Sequence, residues 1–161
     1  SIEHILFMER FGQKIKDFTR PATGDQNISL SCYQGKNVVL YFYPKDNTPG
    51  CTTEGGDFRD FIKDFEKANT IILGVSRDSI RKHENFKAKK EYPFELLSDE
   101  DESLCKQFDV IKLKKLYGKE YLGIERSTFL IDTNGVLIQE WRKVKVKGHV
   151  AEVLEAVQNF D

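Results

Sequence analysis

The three cysteines, Cys32, Cys51 and Cys105, are the first residues to weigh for chemistry, and only Cys51 stands where a sheet protein concentrates it. It follows the apolar run Val38 to Tyr43 by way of Pro44 and a turn segment, Lys45 to Thr48, and α/β sheets bind ligands beyond the carboxyl ends of their strands. With Thr48 as N-cap and Pro49 at the first helical position, Cys51 falls in the first turn of a helix. Unpaired backbone N–H groups and the positive dipole end favour a thiolate there, and the thiolate is the reactive form. Cys51 also precedes Phe58 by seven residues, so it begins the stripe Phe58, Phe61, Ile62 and Phe65, which places its sulfur in a pocket. Spacing leaves two readings open, a reactive thiolate or an inert buried thiol. Glu54, one turn further on, is open in the same way. It is either a buried carboxylate that needs a cationic partner or an exposed first-turn glutamate favoured by the helix dipole.

Other groupings carry less. His4, His83 and His149 lie far from each other and from any cysteine, so zinc-like spacing is absent and no metal or cofactor is expected. Gly50 and Gly55-Gly56 fit neither a dinucleotide fingerprint nor a P-loop. Glycine weakens a helix, so the turn after Cys51 is expected to unwind readily. Lys112, Lys114, Lys115 and Lys119 interleave with Tyr117 and Tyr121. This stretch reads as a solvated loop in preference to a nucleic-acid surface.

The elements that must position Cys51 follow from periodicity. Val38 to Tyr43 reads as a central strand buried on both faces and Thr70 to Val75 as its neighbour. Ser79 to Glu91 reads as a polar helix, Phe94 to Leu97 as a short strand and Glu102 to Phe108 as a helix. Ser127 to Ile131 and Val136 to Trp141 form a hairpin about Asn134-Gly135, and His149 to Phe160 closes as an amphipathic helix. Alternating strands and helices predict an α/β, thioredoxin-like fold, a central mixed sheet flanked by helices, in one domain over 1–161. A chain of 161 residues with 25 basic against 26 acidic side chains has no overall field for nucleic acid. The longest apolar run is too short for a membrane span, no secretory signal pattern opens the chain, and a disulfide framework is not expected. A cytoplasmic monomer with free thiols is the expectation.

The segment Tyr41-Phe42-Tyr43-Pro44-Lys45-Asp46-Asn47-Thr48-Pro49-Gly50-Cys51-Thr52-Thr53-Glu54 resembles the peroxiredoxin active site, with proline, threonine and cysteine at fixed spacing. It is similar to the bacterioferritin comigratory protein group, the Q-type peroxiredoxins. The likeness continues through Gly74 to Ser79, Leu96 to Asp99, Arg126 to Asp132 and Val144 to His149. The resemblance implies a thiol-dependent peroxidase that reduces hydrogen peroxide and organic hydroperoxides through a sulfenic acid at Cys51. It implies that Thr48 orients the attack, that Arg126 holds positive charge beside the sulfur, where it is the candidate partner of a buried Glu54, and that Pro44 shields the pocket. The alternative is a peroxide sensor or redox relay oxidised at Cys51.

The chain departs from many such relatives in its second cysteine. Gly56 stands five residues after the nucleophile, and Ser79 to Glu91 contains no cysteine. Cys105 and Cys32 remain as possible resolving thiols, and the principal reductant is expected to be external, a thioredoxin-like protein or a small thiol.

Overall fold

The computed structural model describes residues 11–160. In chain order these form β1 (Thr19–Ala22), β2 (Gln26–Ser29), a 3-10 turn (Leu30–Tyr33), β3 (Asn37–Phe42), α1 (Pro49–Asp60), α2 (Ile62–Lys67) and β4 (Thr70–Ser76). They continue as α3 (Ile80–Lys90), β5 (Glu95–Ser98), α4 (Ser103–Gln107), β6 (Ile111–Leu116), β7 (Lys119–Ile124), β8 (Ser127–Ile131), β9 (Leu137–Trp141) and α5 (His149–Phe160). One sheet runs in the order β2-β1-β5-β4-β3-β8-β9, while β6 and β7 pair with each other. Within the large sheet β3, β4 and β5 are parallel, and β8 returns antiparallel to β3. This is the mixed, helix-flanked, thioredoxin-like arrangement that the β/α alternation predicts.

Inside the sheet, β3 lies between β4 and β8 and has no solvent-exposed face. Every residue of β3 is buried, and its two-residue period divides two cores. Val38, Leu40 and Phe42 pack with Phe108, Phe129 and Cys105 on one face. Val39, Tyr41 and Tyr43 pack with Cys51, Phe58 and Phe65 on the other, which α5 also covers through Val150, Val153 and Val157. Each such side chain contributes roughly 1.5–3 kcal/mol on leaving water, so a slip of one residue in β3 would exchange the two cores. The register is fixed accordingly, with Phe42 opposite Val75 on one side and Ser127 on the other.

Two details differ from the sequence-based expectation, and one hairpin has no counterpart in it. The stripe Phe58, Phe61, Ile62 and Phe65 does not lie on one continuous helix, because Phe61 leaves helical geometry at φ −99°, ψ 10° and separates α1 from α2. Phe58 and Phe65 are buried, whereas Phe61 and Ile62 are only partly so. The chain around Lys112 to Tyr121 is a β-hairpin and not a loop, closed by Tyr117 and Gly118 with φ of 50° and 78°. Two successive positive φ angles suit the right-handed twist of paired strands. The β1–β2 hairpin gives no clear alternation because, at the sheet edge, half of its residues face solvent.

Gly55 is set by packing. A Cβ there would overlap the Tyr92 ring, whose Cε2 lies 2.9 Å away, while the Tyr92 hydroxyl donates to the Thr52 carbonyl at 3.2 Å. Gly56 is open, with Arg59 Nη2 at 3.4 Å as the nearest atom to such a Cβ. Gly55→Ala should therefore lower stability by about 1–3 kcal/mol in denaturant melts. Gly56→Ala should gain up to about 1 kcal/mol, and a gain from both substitutions would contradict this reading of the helix contact.

Candidate active site

Cys51 reaches its position through two backbone constraints. Just past the end of β3, Tyr43 N–H still donates to the Val75 carbonyl at 3.0 Å. Pro44, with no N–H to offer, then takes the chain out of the sheet. Thr48 is the N-cap of α1 and Pro49 its first residue, which leaves Cys51 in the opening turn, 2% exposed. The Thr48 hydroxyl does not cap the helix as expected. It donates to the Lys45 carbonyl at 2.7 Å, so its oxygen retains lone pairs and the first-turn N–H groups of α1 are left without a side-chain acceptor from the cap.

Arg126 arrives from the other side of β3. Because Ser127 is opposite Phe42, the residue before it falls beside the end of β3, level with the start of α1. Its carbonyl accepts from Val144 N–H at 3.0 Å, and its guanidinium forks. Nη2 lies 3.3 Å from the Cys51 sulfur and Nη1 lies 2.7 Å from Glu54 Oε1. Gly50 leaves room for this fork, since a Cβ there would stand 3.1 Å from Nη2. Burial alone would lower the pKa of Arg126, but Glu54 and Cys51 outweigh it and the group ends up raised.

Glu54 is fully buried, and its Oε2 has no hydrogen-bond partner. Of the two positions open to it, the structure places it inside, against Arg126. Desolvation pushes its pKa from 4.5 to about 7 even though the guanidinium pulls the other way. His149 stands close by, its Nε2 2.8 Å from Thr128 Oγ1, with its pKa lowered to about 4 by burial and then by Arg126. The ring is therefore neutral near neutral pH and adds no second charge.

A buried network beneath the Lys45–Thr48 turn is not apparent from the sequence. Asp46 accepts from the Tyr43 hydroxyl at 2.6 Å and pairs with His83 Nδ1 at 2.6 Å, while the Leu97 carbonyl accepts from His83 Nε2 at 2.8 Å. Asp78 accepts from Asp46 N–H at 2.9 Å and from Ser76 Oγ at 2.6 Å. Asp46, Asp78 and His83 offer ligand atoms within 4.8 Å of one another. Both nitrogens of His83 and both oxygens of Asp46 are already engaged, so the group works as a brace that ties the turn to α3 and β5. The signal that could reveal it is Asp46 itself, an acid four residues past the end of a buried strand. His4 lies outside the described residues.

The other cysteines do not join this site. Cys105 is buried on the opposite face of the sheet, where burial and then the Asp99 carboxylate push its thiol pKa far up. Cys32 is exposed in the turn before β3, at the far end of a strand roughly 20 Å long at about 3.3 Å per residue.

The AhpC/TSA family model matches residues 11–140. Peroxiredoxin Bcp of Bacillus subtilis is 56% identical over 149 residues, covering 92% of this chain and 95% of that protein. Its counterpart in Xanthomonas campestris is 54% identical over 142 residues, covering 88% and 89%. A structure of Xanthomonas campestris peroxiredoxin Q superposes with a TM-score of 0.85 at 52% identity, covering 89% of this chain and 90% of that one. A trapped intermediate/ligand complex of the bacterioferritin comigratory protein from the same organism, bearing on its alkyl peroxide reduction activity, gives a TM-score of 0.84 at 52% identity over 88% and 90%.

Glu54 binds its proton more tightly in the folded chain, at about 7, than at its ordinary value of 4.5. Between those values the folded chain holds the extra proton, so this group makes stability fall as pH rises, with no further change above about 7. Glu54→Gln removes the effect. Relative to the variant, the parent should lose on the order of 3 kcal/mol at most between about pH 4.5 and 7.5 in denaturant melts. His149 acts with the opposite sign but is common to both proteins and cancels. A difference independent of pH would show that Glu54 is already ionised at the acid end.

Proposed function

The chain belongs to the AhpC/TSA family and is a peroxiredoxin, a thiol-dependent peroxidase, and from that premise we propose that Cys51 is the attacking sulfur and that Arg126, Thr48 and Pro44 shape the attack. The observation that carries this reading is the forked guanidinium of Arg126, which contacts the sulfur at 3.3 Å and a buried carboxylate at 2.7 Å.

The Cys51 thiolate attacks the terminal oxygen of a hydroperoxide. An S–O bond forms as the O–O bond breaks, the sulfur is left as a sulfenic acid, and the departing alkoxide or hydroxide takes a proton from solvent. The Thr48 hydroxyl gives its hydrogen to Lys45, so its oxygen can accept from the peroxide O–H and turn the terminal oxygen toward the sulfur. Negative charge moves from sulfur to the leaving oxygen, and the Arg126 guanidinium and the free N–H groups of the first turn of α1 stay beside it throughout. Arg126 cannot wander while Glu54 holds its other edge, which makes Glu54 a positioning residue. Pro44 is partly buried at the rim and offers the pocket no competing donor.

Reduction of the sulfenic acid by a thiol from outside the chain fits the placement of the other two cysteines. An internal disulfide would have to cross the sheet to Cys105 or run its length to Cys32. Gly56 and the cysteine-free α3 leave no nearer thiol. Three unlinked thiols also suit the reducing conditions of the cytoplasm.

One equivalent of hydrogen peroxide without reductant, followed by intact-mass analysis, tests the assignment. The parent should gain one oxygen, Cys51→Ser should gain none, and Arg126→Ala should gain it about 100-fold more slowly, the order of magnitude for loss of one transition-state donor. Oxidation of Cys51→Ser at the parent's rate would remove Cys51 from the role, and loss of two hydrogens in the parent would mean that the resolving thiol is internal.

A further inference from the structure

Burial leaves few large apolar side chains in water here, and it leaves them together. Among the described residues, those exposed are Phe11, Leu113, Leu116, Tyr117, Tyr121, Leu122 and Phe160, and all but the first and last belong to the β6–β7 hairpin. Grouped exposed apolar residues mark an interaction site, whereas scattered ones do not.

Pairing sorts the hairpin into two faces. Ile111 with Ile124, Leu113 with Leu122 and Lys115 with Glu120 share one. Lys112 with Gly123, Lys114 with Tyr121 and Leu116 with Lys119 share the other. On this second face the Tyr121 ring and the Lys114 stem lie over Gly123, 3.1 and 3.2 Å from where a Cβ would stand. Lys114, on this face, is partly buried, and burial and then the Arg126 charge lower its pKa. The base of the hairpin is anchored. Ile124 is buried, the Leu122 carbonyl accepts from Arg77 Nη1 at 3.3 Å, and Glu125 N–H donates to the Val110 carbonyl at 2.7 Å. Arg126 comes two residues after β7 ends and touches the Cys51 sulfur at 3.3 Å, so the hairpin's base adjoins the reactive group.

We propose that the face bearing Lys114, Leu116, Lys119 and Tyr121, with Tyr117 at its tip, is the docking surface for the reductant, a thioredoxin-like dithiol protein whose own surface is apolar with an acidic rim. The inference rests on the reading that an external thiol recycles Cys51. Charge selects the occupant. Between Ile111 and Ile124 the hairpin carries four lysines and one glutamate, in a chain whose formal net charge is −1. A second copy would set this positive surface against its own like, while an acidic partner is steered to it. Leu116 and Tyr117, 55% and 96% exposed, offer apolar area that a small thiol cannot cover. The chemistry also suits a dithiol. Its first sulfur attacks the sulfenic acid, forming a mixed disulfide with release of water, and its second sulfur attacks that disulfide, returning Cys51 as a thiolate and leaving the partner oxidised.

The test compares the parent with Leu116→Ser/Tyr117→Ser and with Lys119→Glu in hydrogen peroxide turnover. The reductant is either an acidic thioredoxin kept reduced by its reductase and NADPH, or dithiothreitol. Each variant should lose about 10-fold or more in kcat/KM for thioredoxin. The parent's rate with thioredoxin should fall as ionic strength rises, and both first-turnover oxidation and turnover with dithiothreitol should stay at the parent's rates. Those last two readouts also show that the variants are folded. Recycling of the variants by thioredoxin at the parent's rate would overturn the proposal, as would a parent that dithiothreitol recycles and thioredoxin does not. A dimer in sedimentation that the substitutions split would assign the surface to a second copy and overturn it too. Failure of the underlying peroxidase reading appears separately, as absence of first-turnover oxidation before any reductant is added.

Discussion

A guanidinium taken out of water needs hydrogen-bond acceptors on more than one edge. Arg126, with 15% of its side chain exposed, finds them in the Glu54 carboxyl and the Cys51 sulfur. Removing Glu54 would leave the guanidinium without its acidic partner in a poorly solvated place, at a cost of several kcal/mol. The three groups therefore hold one another. They come from two parts of the fold: Cys51 and Glu54 from the first turns of α1, and Arg126 from the residue before β8. What brings them together is the register of β3 with β8, since Ser127 opposite Phe42 allows Arg126 to reach the helix only if that pairing is kept.

Two packing arrangements maintain the geometry. Tyr92 lies against Gly55 and donates to Thr52, which presses the start of α1 onto the core. Asp46, braced by Tyr43, His83 and Asp78, fixes the turn that carries Thr48. A loop that only linked strand to helix would leave the threonine free to move. Here its hydroxyl is set by a buried hydrogen-bonded network of the kind that rigidifies when every member is satisfied. Glu54 Oε2 is the exception, unpaired and buried, and its carboxyl is poised near neutrality as a result.

The parts of this arrangement legible in the sequence are those with a local cause. The continuous apolar run gives β3, Thr48-Pro49 gives the start of α1, and Cys51 follows from both. The pairing of Glu54 with Arg126 could be named only as one of two options, because the two residues are seventy-two positions apart and spacing carries no information across that distance. The Asp46–His83 brace was hidden for the same reason, since a histidine in a polar helix shows no sign that it faces inward. The β6–β7 hairpin reads as a loop because exposure sets its composition: four lysines blunt strands that no core selects for. Cys105 looks available as a helix residue, and only the parity of β3 reveals that it belongs to the core on the other side of the sheet.

The central claim is that Glu54 acts on the peroxide step through Arg126 and not on its own. A double-mutant cycle measured on the first-turnover oxidation rate tests it directly, using Glu54→Gln, Arg126→Ala and the pair together. If the carboxylate only positions the guanidinium, Glu54→Gln should slow the reaction in the parent and have no further effect once Arg126 is gone. An equal loss from Glu54→Gln in both backgrounds would contradict the account, because it would mean that the carboxylate reaches the reacting atoms by a route that does not pass through the arginine.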